Sequence, residues 1–188
     1  MGLGNPGRAY KDSRHNIGFS VVKALAKIYK VALAKNKAAF SLNAKVKIKG
    51  KNIILAVPLT FMNLSGKAVE ALLKKHKINS ENLLVVCDDL DLEFGRLKIR
   101  PGGSSGGHRG IESVVRSLKT SEFARLRIGI GRGKVDLDVS RYVLSPFSNI
   151  EKKERDKIID KACNCCRVWV SEGILKSMNF FNTRTKYS

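Results

Sequence analysis

His15 is one of three histidines in the chain, and the residues around it are the ones equipped for chemistry. It stands in Arg14-His15-Asn16, shortly after Gly2-Leu3-Gly4-Asn5-Pro6-Gly7. Imidazole titrates near neutrality, so a histidine can take a proton from water at working pH. A carboxylate on one ring nitrogen would fix the tautomer and stabilise the imidazolium that forms. The acidic run Asp88-Asp89-Leu90-Asp91 offers three candidates. Side-chain amides such as Asn5 and Asn63 can donate to a developing oxyanion, a role worth roughly 3 to 4 kcal/mol. No Gly-x-Ser-x-Gly elbow supplies a serine nucleophile, so this inventory suits attack by activated water.

Other chemistries fit less well. Gly2, Gly4 and Gly7 match the spacing of a dinucleotide fingerprint, which needs a strand before it and an acidic residue roughly twenty positions on. Only Met1 precedes Gly2, and positions 21 to 35 hold no Asp or Glu. Gly131-Arg132-Gly133-Lys134 is not a phosphate-binding P-loop, because Ile128 and Val135 stand where that motif needs Gly and a hydroxyl. The acidic run could hold Mg²⁺ in a nuclease, the one metal alternative the sequence raises. Cys163, Cys165 and Cys166 lack the paired spacing of a zinc site and are expected as buried apolar side chains in a helix.

The elements that must position these groups follow from periodicity. Ile17, Val21, Val22, Leu25, Ile28 and Tyr29 recur at helical spacing directly behind His15. Alternation at Ala44, Val46 and Ile48 predicts a half-buried strand, and Gly50 turns the chain into a second, Ile53 to Val57. Thr60-Phe61-Met62-Asn63-Leu64-Ser65-Gly66 is a loop before a helix ending at His76, which reads as a helix-terminal cation. Leu83 to Cys87 is a continuous apolar run, as in a central strand, and it delivers the acidic run at its carboxyl end. Further strands are expected at Arg96–Arg100 and Arg125–Gly131. Between them lie a second glycine-rich loop, Pro101 to Gly110, and a helix marked by Ile111, Val114, Val115 and Leu118. A last helix is expected over about Ile150–Glu172, then a basic tail over 176–188 anchored by Phe180 and Phe181. Interleaved strands and helices make the chain α/β.

With 188 residues the chain is expected to form one domain. No apolar run is long enough for a membrane span and no signal-peptide pattern opens the chain, so the expected compartment is the cytoplasm. Thirty-six Lys and Arg against sixteen Asp and Glu leave a net charge of +20. That excess favours a polyanionic partner, and nucleic acid suits it better than a membrane surface.

Taken together, Gly2–Gly7, Ser13-Arg14-His15-Asn16, Thr60–Gly66, Asp88–Leu92 and Gly106-Gly107-His108 resemble the bacterial-type peptidyl-tRNA hydrolase family, in order and over nearly the whole chain. The resemblance implies a monomeric single domain, with a mixed twisted β-sheet flanked by helices. It implies hydrolysis of the ester joining a peptide to the 3′ ribose of tRNA, with no cofactor and no metal. It makes His15 the catalytic base and Asp88 its orienting partner, with Asn5, Asn63 and Arg109 around the scissile ester. Tyr10, Phe61, Met62 and His108 then lie on the tRNA side, and Arg100 with Arg127 forms the basic pair for the 5′ phosphate. Asn5 is expected to favour blocked over free α-amino groups by accepting from a peptide N–H. Non-catalytic RNA-binding proteins on the same fold are the other class the resemblance allows.

The chain departs from the family pattern twice. Members carry a short apolar strand before the glycines, so the N-terminal strand is expected to be truncated at Met1. Arg109 stands where asparagine is usual, and is expected to grip the acceptor end of tRNA beside a helix N-terminus that favours anions.

Overall fold

The computed structural model describes residues 1–133 and 138–183. Among the described residues, six strands form two three-stranded sheets. In the first, β1 (Ala34–Asn36), β2 (Ser41–Ile48) and β3 (Lys51–Pro58) pair antiparallel in that order. In the second, β6 (Ala124–Gly129) is central, parallel to β4 (Leu84–Asp89) and antiparallel to β5 (Leu97–Arg100). Met1–Leu3 joins them: Gly2 N–H donates to Ala56 O at 3.0 Å, and Leu3 N–H to Val86 O at 2.9 Å. A cavity of about 640 Å³ is lined by Met1 and by residues of β3 and β4.

Side-chain alternation sends β4 into two cores. Leu84 and Val86 pack with α1 (Ile17–Ile28) and α5 (Asn149–Phe181). Leu83, Val85 and Cys87 pack with Leu3, with Val69 of α2 (Ser65–His76) and with Ile111 and Val114 of α3 (Arg109–Leu118). Burial on both faces is why this strand reads as a continuous apolar run. The same alternation parts the two acidic residues at its end, since Asp88 shares the parity of Val86 and Asp89 that of Cys87.

Five differences from the sequence reading have physical causes. The last helix does not stop at Glu172. The chain breaks helical geometry at Gly173 (φ 86°, ψ −176°) and then resumes to Phe181, burying Ser177 and Phe181 while Phe180 stays exposed. Residues 176–181 are therefore helix rather than tail, and 184–188 lie outside the described residues. Ile28 is exposed at the end of α1. His76 is a poor cation: burial, then Lys45 and Lys75 nearby, lower its pKa. The short strand β1 and the six-residue helix α4 (Val139–Leu144) had no periodicity long enough to announce them. The cysteines are buried as expected, and burial pushes the Cys163 and Cys165 thiols up to about 12.

Candidate active site

The site forms where the N-terminal segment leaves β4. Pairing of Met1–Leu3 with Val86 brings Gly4 and Asn5 to the carboxyl end of the strand, beside Asp88. A 3-10 turn, Arg14–Asn16, then feeds α1, whose first turn lies directly on this backbone. A Cβ on Gly18 would stand 2.3 Å from Val86 O and 2.7 Å from Leu3 N, so only glycine permits that approach. The turn is thereby held against β4, and His15 reaches Asp88.

His15 Nδ1 lies 2.8 and 2.9 Å from the two carboxylate oxygens of Asp88. On its other side Asp88 Oδ1 meets His108 Nε2 at 3.1 Å. The partners fix both tautomers. His108 Nδ1 faces the Gly110 and Ile111 N–H groups at 3.1 and 3.2 Å, so it must accept, and the ring proton sits on Nε2 and donates to Asp88. His15 donates through Nδ1, which leaves its Nε2 with a lone pair that no group among the described residues engages. Burial alone would raise the Asp88 carboxyl; the His15 and His108 rings against it reverse this and hold it well below the usual carboxylate range. Asp88 is thus a fixed negative charge receiving two N–H donors.

Asn5 is held from two directions. Its N–H donates to Asn16 Oδ1 at 2.7 Å, and Asn16 Nδ2 donates to Asn5 O at 3.0 Å and Tyr10 O at 2.8 Å. Its own Oδ1 accepts from Met62 N–H at 2.7 Å. A backbone N–H can only donate, so the amide orientation is settled, and Nδ2 is the end without a protein partner among the described residues. Asn5 therefore presents a donor to the site, not the acceptor expected for it.

These groups line one cavity of about 750 Å³ with Phe61, Asn63, Arg109, Arg127 and residues of α4. The family model for peptidyl-tRNA hydrolase matches residues 1–188. The chain belongs to the peptidyl-tRNA hydrolase family. The peptidyl-tRNA hydrolase of Aquifex aeolicus (strain VF5) is 50% identical over 165 residues, 88% of this chain and 85% of that protein. That of Bacillus subtilis (strain 168) is 43% identical over 183 residues, 97% of each. The crystal structure of peptidyl-tRNA hydrolase from Acinetobacter baumannii matches with a TM-score of 0.91 at 35% identity, over 97% of this chain and 92% of that one.

Within this hydrolase fold the remaining expected residues fall into three places. Phe61 is exposed at the cavity with Tyr10 edge-on to it at 6.4 Å, and Asn63 is exposed beside them. Met62 and His108 line the same cavity: Met62 is buried against α3 and its N–H orients Asn5, while His108 meets Asp88. Arg109 is exposed at the first turn of α3, but the Gly110 and Ile111 N–H groups are already taken by His108 Nδ1. The anion site expected at that helix end is filled by an imidazole.

Arg100 and Arg127 share a strand face. In the register Lys98 opposes Arg127 and Arg100 opposes Arg125, so four basic side chains project to one side of β5 and β6. Arg127 Nε also pairs with Asp89 Oδ2 at 2.6 Å. Asp89 Oδ1 accepts from Asp91 N–H, and Asp91 is paired with Arg132. The carboxylates of the acidic run are thus each engaged separately, which does not fit a shared Mg²⁺. Ligating atoms do converge at His15, Asp88 and His108. There the ring protons lie between nitrogen and carboxylate, and a metal on His108 Nε2 would have to strip a ring whose other nitrogen caps α3.

Sequence reasoning passed over three residues that hold the turns and loops around the site: Arg14, Asn16 and Arg125. Arg125 is buried and holds the glycine-rich loop through Ser104 O at 2.6 Å. Side chains that bond backbone leave no spacing pattern, so only the flanking position of Arg14 and Asn16 beside His15 hinted at them.

Proposed function

We propose that this chain hydrolyses the ester of peptidyl-tRNA by general-base attack of water, with His15 as the base. The family supplies the reaction, and the free Nε2 of a ring whose Nδ1 is held by Asp88 is the observation that carries the mechanism. Water at Nε2 loses a proton to it as the oxygen bonds to the ester carbonyl carbon. The imidazolium so formed is stabilised by Asp88, itself kept anionic by His108. Asn5 Nδ2 and the Asn63 amide are the donors for the tetrahedral oxyanion or the adjoining peptide carbonyl. The 3′ hydroxyl of tRNA leaves, taking the proton back from His15. No serine or cysteine hydrogen-bonds to the His15 ring among the described residues, which supports water as the nucleophile.

The donor at Asn5 also supports discrimination between substrates. A peptidyl ester carries a second carbonyl, one residue from the ester, and a free aminoacyl ester has an ammonium instead. A donor amide attracts the first and repels the second. Tyr10, Phe61 and Arg109 on the exposed rim suit the acceptor end, while Arg100 and Arg127 suit its 5′ phosphate. The protein is read as a cytoplasmic monomer; no helix among the described residues is long and apolar enough to cross a membrane.

The test is hydrolysis of an N-acetylated aminoacyl-tRNA beside the unblocked form, for the protein and for Asn5→Asp. The protein should cleave only the blocked ester, and Asn5→Asp should narrow the ratio of the two rates. An unchanged ratio would remove Asn5 from this role. Binding without cleavage would place the chain with non-catalytic RNA-binding relatives, and scission within the RNA would make it a nuclease.

A further inference from the structure

The three consecutive residues at the base diverge in purpose: His15 goes to Asp88, Asn16 to the Asn5 loop, and Arg14 away from both. Arg14 is 7% exposed and runs under α4. Its Nη1 donates to Ser145 Oγ at 2.7 Å and Pro146 O at 2.5 Å, and its Nη2 to Glu151 Oε2 at 2.6 Å. The guanidinium lies 4.4 Å from the Tyr142 ring centre and 5.3 Å from that of Phe147. Arg14 N–H also donates to Ser145 O at 3.0 Å, and Ser13 forms a bridge with Pro146. The same Glu151 Oε2 accepts from Ser148 N–H at 2.6 Å, so the oxygen that pairs with Arg14 also caps α5.

α4 itself is only six residues, too short to be stable unaided. Yet its Val139, Ser140, Val143 and Leu144 line the cavity that holds His15. Val139 and Leu144 are 52% and 37% exposed, an apolar surface offered to the cavity. Basic side chains come instead from β6 and α3, as Arg127 and Arg109. A cavity with apolar side chains from α4 and basic ones from β6 and α3 matches a substrate that is peptide at one end and polyanion at the other. Besides Arg14, the hydrogen bond from Tyr142 Oη to Ile130 O at 2.8 Å ties the helix down.

We propose that Arg14 is a positioning residue, which through Glu151 sets the α4 wall at its distance from His15 and so governs how well the peptide side chain next to the ester is held. The proposal rests on the reading of His15 as the base. Arg14 touches no reacting atom; its effect passes through Val139, Val143 and Leu144. The strut is specific to a planar fork, because one guanidinium serves the α4–α5 linker and the α5 cap at once.

The experiment compares N-acetylglycyl-tRNA with N-acetyl-leucyl-tRNA on the protein, Arg14→Lys, Glu151→Gln and the double variant. Glutamine's carbonyl oxygen can still accept from Ser148 N–H, so Glu151→Gln keeps the α5 cap while removing the charge that pairs with Arg14, and it tests the strut even if Arg14→Lys folds poorly. Each single variant should raise KM for the leucyl ester about tenfold, with kcat and the glycyl ester little changed, since small misplacements are felt by bound groups. The double variant should be no worse than either single one, as expected for two ends of one contact. An equal loss on both esters, a fall in kcat without a KM change, or additive effects would overturn the proposal and leave Arg14 a folding residue. A glycyl reaction that keeps its rate in His15→Ala would instead overturn the mechanism on which it rests.

Discussion

Asp88 is the residue on which the site's electrostatics turn. It is 4% exposed and meets two imidazoles, His15, proposed as the base, and His108, which caps α3. Its folded pKa lies below its unfolded value of about 3.9, so its contribution to stability is complete above that pH. That contribution is lost as pH falls through the folded value. Asp88→Asn should therefore be less stable than the protein near neutrality, with the gap closing below about pH 4 in urea unfolding at stepped pH. A gap that stays constant to pH 2 would mean the carboxylate is not held by its two rings. The variant should also turn over more slowly, because Asn can accept from His15 without stabilising an imidazolium.

At the scale of elements, the site is a meeting of one strand end, one turn and two helix starts. Asn16 splices the glycine loop to that turn with three hydrogen bonds to backbone, all inside the protein. Asn16→Asp would set a carboxylate against two carbonyl oxygens and should cost about 3 kcal/mol or more, read as a lower denaturant midpoint with unchanged m. A variant of normal stability would show the loop to be held by Pro6 and the glycines alone. Much of this was legible in the chain. The apolar run of β4 placed Asp88 at a sheet's carboxyl end, and helical spacing from Ile17 placed His15 at a helix start. What could not be read was which end of Asn5 faces the site, because that depends on Met62 N–H, 57 residues away. The pairing of His108 with Asp88 was equally hidden, and so was α4, whose six residues are held by tertiary contacts rather than by their own pattern.

Over the whole molecule, a net charge of +20 favours polyanions in general, so recognition of one RNA must rest on particular charges, and Arg100 is the one proposed here. Arg100 is exposed and has no hydrogen-bonding or ion-pair partner among the described residues, whereas Arg127 also neutralises Asp89. Arg100→Ala should raise KM for 5′-phosphorylated tRNA and lower the salt slope by about one phosphate contact, with thermal stability unchanged. An equal effect on tRNA lacking the 5′ phosphate would assign Arg100 to general attraction instead. The central claim concerns His15 alone, and single-turnover hydrolysis of N-acetyl-leucyl-tRNA at saturating enzyme tests it most directly. His15→Ala should lower that rate by about 10² to 10⁴ while binding the substrate with near-normal affinity, because the base acts only in the transition state. A rate within a few-fold of the unsubstituted protein would contradict the account.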